Sequence, residues 1–104
     1  GSGMSKETIN SAQRVLRVMK ALRGRRLNGI SNQELAAMTG ESPTNVTRAL
    51  ATLMAEDFAV KFDNGLYAPG IALLQIAQAH AEECARMTAR IAETNQRIAA
   101  GAQL

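Results

Sequence analysis

Apolar residues recur near the start of the chain at the three- and four-residue steps of a helix. Val15, Val18, Met19 and Leu22 share one face, Leu16 lies on its flank, and Arg14, Arg17 and Lys20 fall opposite. Asn10 or Ser11 is placed to cap this helix and Gly24 to close it. Arg25-Arg26-Leu27-Asn28-Gly29 then reads as a basic loop leading to Ile30. Ser31 and Glu34 have the spacing of a capping box, which starts a short second helix carrying Leu35, Ala36 and Met38 inward and stopping at Gly40. Ser42-Pro43 is a second start signal, because Pro at the first helical position gives up an N–H that would have no partner there. The third helix is predicted from residue 43 to about residue 57. Its buried stripe is Val46, Leu50, Leu53 and Met54, which turns Thr44, Asn45, Thr47, Arg48 and Ala51 outward.

Period-two patterning replaces the helical steps over residues 58–62 and 66–68, separated by Asp63-Asn64-Gly65. Asn-Gly is the strongest two-residue hairpin signal, and in that register Phe58, Val60, Phe62 and Tyr67 share a face. Pro69-Gly70 ends the strand, and residues 71–100 contain neither Gly nor Pro, so one long Ala-rich helix is expected. Along it Leu73, Ala77, His80, Cys84, Met87, Ile91, Thr94 and Ile98 alternate steps of four and three, the spacing of a coiled-coil seam. Glu82 with Arg86 and Glu93 with Arg97 add i,i+4 pairs on its flanks, and Val18 of the first helix is a plausible further contact for it. The fold class is mostly α: a winged helix-turn-helix of three helices plus a β-hairpin wing, followed by a long C-terminal helix. Residues 1–3 read as a scar of tag removal ahead of Met4, 4–10 as a tail, 11–70 as the winged domain and 71–104 as a dimerisation helix.

Composition narrows the chemistry. Two Phe and one Tyr leave the core to Leu, Val, Ile, Met and Ala. A single Cys and a single His exclude an internal disulfide and an ordinary one-chain zinc site, and no nucleophile–base pair or Gly-rich phosphate loop is visible. No enzyme activity and no cofactor are expected. No apolar run approaches the roughly 18 residues that span a bilayer, which makes no membrane partner and a cytoplasmic location the expectation. Net charge is +3, but residues 1–30 set seven basic residues against Glu7 alone, whereas residues 31–60 set Arg48 against Glu34, Glu41, Glu56 and Asp57. Such asymmetry suits a polyanion approached from one side.

The order of elements is that of a winged helix-turn-helix, whose third helix enters the major groove. Thr44, Asn45, Thr47 and Arg48 are the base-reading candidates, since Asn suits adenine, Arg suits guanine, and Thr offers a hydroxyl and a methyl. Arg25 and Arg26 are the favoured phosphate contacts, with Asn32, Gln33 and Lys61 as further DNA-facing candidates. The stripe of Arg14, Arg17 and Lys20 reads equally as a phosphate track and as a solvated face. Arg48 could instead be a surface residue paired with Glu41 or Thr52.

From residue 11 to about 76 the sequence resembles the DNA-binding domain of the IclR family of bacterial regulators. Ser11 to Leu22 is similar to that family's first helix, Gly29 to Gly40 to its second, and Val46-Thr-Arg-Ala-Leu-Ala-Thr-Leu53 to its recognition helix. Gly65-Leu-Tyr-Ala-Pro-Gly70 with Leu73-Leu74 resembles the end of its wing and the start of its linker helix. The resemblance implies a dimeric transcription regulator that contacts DNA through Thr44, Asn45, Thr47 and Arg48. The sequence departs from the family pattern in three places. Pro43 stands one position late, Asp57 replaces the usual Gly before the wing, and the wing tip Asp63-Asn64 has no basic residue. The family's effector-binding domain does not follow the linker helix, so no small-molecule effector is evident. The chain then reads as a stand-alone regulator of the kind found in phages and mobile elements, or as an excised domain. The expected partners are double-stranded DNA, bound at an inverted repeat, and a second copy of the chain joined along the seam. The rival reading is a winged-helix protein-interaction module that modulates another regulator.

Overall fold

A computed structural model describes residues 7–101. The scar at residues 1–3, residues 4–6 of the expected tail and the last three residues of the expected terminal helix lie outside them. Helices α1 (Asn10–Ala21), α2 (Asn32–Thr39) and α3 (Pro43–Ala55) are followed by strands β1 (Ala59–Lys61) and β2 (Tyr67–Pro69) and by helix α4 (Ile71–Gly101). The chain divides into two compact units, Gly1–Leu74 and Gln75–Leu104. This is the winged helix-turn-helix order that the patterning predicts, with a long terminal helix.

In the first unit, Val18 and Leu22 of α1, Ile30, Leu35 of α2, and Val46, Ala49, Leu50 and Leu53 of α3 form one core with Ala59 and Tyr67 of the strands. α1 starts without a side-chain cap, Ile9 standing at the N-cap and accepting from the Gln13 N–H at 2.9 Å, so Asn10 is already helical and neither Asn10 nor Ser11 is the cap. Ser31 and Glu34 form the expected capping box, and Gly40 closes α2 in the left-handed region at φ 76°. Met38 does not turn inward. It is 57 % exposed, because the eight-residue helix presents only Leu35 fully to the core. Ser42 caps α3 by accepting from the Asn45 N–H at 3.1 Å, and Pro43 stands in its first turn.

α3 ends at Ala55 in a closed loop of backbone bonds. The Phe58 N–H donates to the Leu53 carbonyl at 2.8 Å and the Asp57 N–H to the Met54 carbonyl at 3.1 Å, while Asp57 takes a positive φ of 64°. This is a Schellman motif with an aspartate at the position that usually holds glycine. The hairpin differs from expectation by one residue. Phe62 donates to Leu66 at 2.8 Å and Gly65 donates back to Phe62 at 2.9 Å, with Gly65 at φ 86°. The connection is therefore a three-residue loop closed by a left-handed glycine, not a two-residue Asn-Gly turn. Shifting the register by one residue exchanges faces. Lys61 pairs with Tyr67 and Ala59 with Pro69, so Tyr67 shares its face with these and not with Phe58, Val60 and Phe62. β2 also bonds on its other edge, where Ile30 and Tyr67 exchange two backbone hydrogen bonds at 2.8 Å each.

The second unit is helical throughout its described length. Residues 75–100 are exposed, including Met87 (52 %), Ile91 (59 %) and Ile98 (65 %). Arg97 pairs with Glu93 at 3.7 Å, whereas Glu82 accepts from Gln78 at 3.0 Å in place of the expected pairing with Arg86. Val18 is fully buried within the core of the first unit, which leaves it no surface to offer another helix. Among the described residues no helix is long and apolar enough to cross a membrane.

Candidate nucleic-acid interface

Burial of Val46, Ala49, Leu50 and Leu53 fixes the rotation of α3, so Thr44, Thr47, Arg48 and Ala51 face outward and are exposed. The Arg48 guanidinium makes no ion pair among the described residues, and its backbone carbonyl accepts from the Thr52 hydroxyl at 3.2 Å. The residues flanking it are short, which allows a flat surface to approach closely.

Asn45 and Asn32 are less free than the sequence suggests. The Asn45 amide donates to Glu41 Oε1 at 3.4 Å and is half-buried. Asn32 Nδ2 donates to the Pro43 carbonyl at 3.2 Å and to the Thr47 hydroxyl oxygen at 2.8 Å. Because a carbonyl can only accept, the nitrogen side of the amide must face Pro43, and both its N–H groups are then spent inside the protein. Asn32 thus braces the start of α2 against the start of α3. Gln33 beside it is exposed.

Glu41, in the turn between α2 and α3, gathers more partners than any other side chain on this face. It accepts from Arg14 Nε at 2.9 Å and from Arg17 Nη1 at 2.8 Å, with 14 % of its own side chain exposed. Partial burial works to raise its pKa, but the hydrogen bond and charge of Arg14, the Asn45 hydrogen bond and the charge of Arg17 outweigh it. The carboxyl is held below its ordinary value. Two of the three residues in the basic stripe of α1 are therefore anchored to the helix-turn-helix corner, and Glu41 is partnered by them and not by Arg48. The i,i+3 pair of arginines was the sequence signal for this cluster. Their partner, 24 residues or more along the chain, was not identifiable from local spacing. Arg14, Asn45, Arg48 and Thr52 line a shallow cleft between α1 and α3.

The basic loop is tied to the wing. The Gly29 N–H donates to the Arg25 carbonyl at 3.0 Å, and Gly29, at φ 76°, lies so close to β2 that a Cβ there would meet Leu66 Cβ at 2.8 Å. Arg25 is half-buried and Arg26 exposed, with Leu27 beside them 90 % exposed. Lys61 on β1 is exposed, its amine 5.7 Å from the centroid of the Tyr67 ring.

Of the expected seam residues on α4, Leu73 is half-buried and Ala77, His80, Cys84, Met87, Ile91, Thr94 and Ile98 are exposed. Cys84 Sγ lies 3.5 Å from His80 Nε2. Among the described residues no group of three or more His, Cys, Asp or Glu is placed to hold a metal ion.

The model of the IclR helix-turn-helix domain matches residues 11–61. None of the curated proteins matches the chain in sequence. Among solved structures, an IclR family transcriptional regulator from Brucella abortus superposes with a TM-score of 0.62 at 25 % identity, over 76 % of this chain and 32 % of the other. HmgR of Pseudomonas aeruginosa gives 0.61 at 30 % identity, over 68 % and 29 %. A transcriptional regulator of the same family from Alicyclobacillus acidocaldarius gives 0.60 at 28 %, over 69 % and 30 %. The matched region thus spans about a third of each of these proteins. The chain carries an IclR-type winged helix-turn-helix domain, its family-matched part being residues 11–61.

Proposed function

We propose that this protein is a sequence-specific, double-stranded DNA-binding transcription regulator, acting as a homodimer on an inverted repeat. The observation that carries the reading is the outward face of α3. Arg48, exposed and without an ion pair among the described residues, stands among Thr44, Thr47 and Ala51 in a domain of a DNA-binding family. Arg48 is assigned to guanine, Arg25, Arg26 and Lys61 to the phosphate backbone, and Gln33 to the backbone near the start of α2. Asn32 positions its neighbours, since both of its amide N–H groups go to Pro43 and Thr47, whereas Asn45 gives one N–H to Glu41 and keeps its amide oxygen and second N–H for adenine.

The dimer is supported by the exposed seam of α4. Thirty-one residues at about 1.5 Å each make a rod of roughly 46 Å. Its Met87, Ile91 and Ile98 leave more than half of their surface in water in the single chain. Pairing Ala77, His80, Cys84, Met87, Ile91 and Ile98, with Leu73 at the start, against a second copy would cover that surface. Two recognition helices would then reach successive major grooves about 34 Å apart.

Electrophoretic mobility shift on random and genomic duplexes at about 50 mM salt tests DNA binding. Retardation that weakens steeply with salt is expected; a folded protein that retards no DNA would overturn the reading in favour of a protein-interaction module. Light scattering on the intact chain and on one ending at Leu74 tests the interface. A monomeric intact chain, or a shortened chain still fully dimeric, would refute it.

A further inference from the structure

We infer that Thr47 reads thymine through its methyl group and not through its hydroxyl, so that each half-site carries one thymine sensed by its C5-methyl in addition to the guanine taken by Arg48. This deepens the DNA-binding reading above and rests on it.

A threonine hydroxyl has one hydrogen and two lone pairs. In Thr47 the hydrogen goes to the Pro43 carbonyl, one turn back along α3, at 3.0 Å. One lone pair takes an Asn32 N–H at 2.8 Å, and the other N–H of that amide is held on the same Pro43 carbonyl at 3.2 Å. Three groups therefore close on one another across the junction of α2 and α3. The hydroxyl has no hydrogen left for the acceptors that guanine, adenine and thymine display in the major groove, namely purine N7, guanine O6 and thymine O4. With Oγ1 turned back on its own helix and toward Asn32, the methyl is the group that this exposed side chain has left to offer. Its apolar complement in the major groove is the thymine methyl. The adjoining Thr44 and Ala51 on the same face are small, so nothing bulky holds the groove floor away from Thr47. Asn32 is then a positioning residue that fixes which half of Thr47 faces the DNA.

The test uses the full chain and the duplex that it selects from a random library. Each thymine of that duplex is replaced in turn by deoxyuridine, which removes the C5-methyl and keeps every hydrogen-bonding group. One thymine per half-site is expected to lose about three- to fivefold in affinity, the worth of one buried methyl contact. Thr47→Val, which keeps the methyl and discards the hydroxyl, should retain both the thymine preference and the deoxyuridine penalty. Thr47→Ser, which does the reverse, should abolish the penalty at that position. Loss of preference in Thr47→Val with retention in Thr47→Ser would overturn the inference by making the hydroxyl the reader. Selection of cytosine or adenine at the Thr47-dependent position would do so as well, because the remaining lone pair could accept from their amino groups. Absence of any methyl-sensitive thymine in a duplex that is bound specifically also refutes it. Failure of the folded chain to select any duplex refutes instead the DNA-binding reading beneath it.

Discussion

Asp57 occupies a backbone position that its side chain disfavours. It follows α3 at φ 64° and is the one residue other than glycine at positive φ among those described. There an L-residue sets its Cβ against a carbonyl oxygen at a cost of about 1–2 kcal/mol, which aspartate tolerates better than most. The chain cannot relax out of it. The Asp57 N–H closes α3 on Met54, and the Asp57 carbonyl accepts from the Ala72 N–H at 2.9 Å. Gly70 packs so tightly on that carbonyl that a Cβ on it would collide. Replacing Asp57 with Gly removes the strain but returns roughly 0.5–1 kcal/mol in unfolded-chain entropy. Because aspartate bears less than the full cost, a net stabilisation of only about 0.5 kcal/mol or less is expected, with Asp57→Ala falling below the wild type. The Gly and Ala variants should differ by about 1 kcal/mol, or about 4–8 °C in Tm for a domain of this size. Thermal unfolding followed by circular dichroism measures the order Gly, Asp, Ala directly. An alanine variant as stable as the glycine variant would show that the left-handed closure of α3 is wrong.

Further outcomes follow from the interface. Because the folded pKa of Glu41 is lowered, its contribution to stability is present above the ordinary carboxylate range and is lost as the pH falls through the lowered value. Acid should therefore destabilise the wild type more steeply than Glu41→Gln, and identical pH profiles of Tm would contradict the cluster. Arg48→Ala should cost about 1–3 kcal/mol on the preferred site, with helix content unchanged. Equal losses on specific and random DNA would remove it from the base-reading set. Arg25→Ala with Arg26→Ala should weaken binding nearly uniformly across sequences and reduce the salt slope by about 0.9 per lost phosphate contact. An unchanged slope would place neither residue at the backbone.

Signals that act within one turn of chain were legible in the sequence. The Ser31–Glu34 capping box, the Gly40 stop and the Ser42-Pro43 start each depend on residues a few positions apart, and together they delimit the helix-turn-helix. What required the fold was set by distant neighbours. Met38 has a helical spacing that suits burial, yet no element covers it. The hairpin register turned on whether Gly65 or Asn64-Gly65 would make the turn, a choice that local composition left open and that exchanged the face of Tyr67. The pairing of Ile30 with Tyr67 joins segments 37 residues apart without any local pattern. At the interface, residue types pointed to Thr44, Asn45, Thr47 and Arg48 as exposed readers. Only the geometry shows that Glu41 holds Asn45, and that Pro43 and Asn32 use the hydrogen and one lone pair of the Thr47 hydroxyl.

Selection from a random duplex library by the full chain, followed by sequencing of the bound fragments, tests sequence-specific DNA binding by the dimer. Enrichment of an inverted repeat with half-site centres about 10 base pairs, or about 34 Å, apart is expected, with loss of that enrichment in Arg48→Ala. Bound fragments indistinguishable in sequence from the input, recovered with a protein shown to be folded, would contradict it.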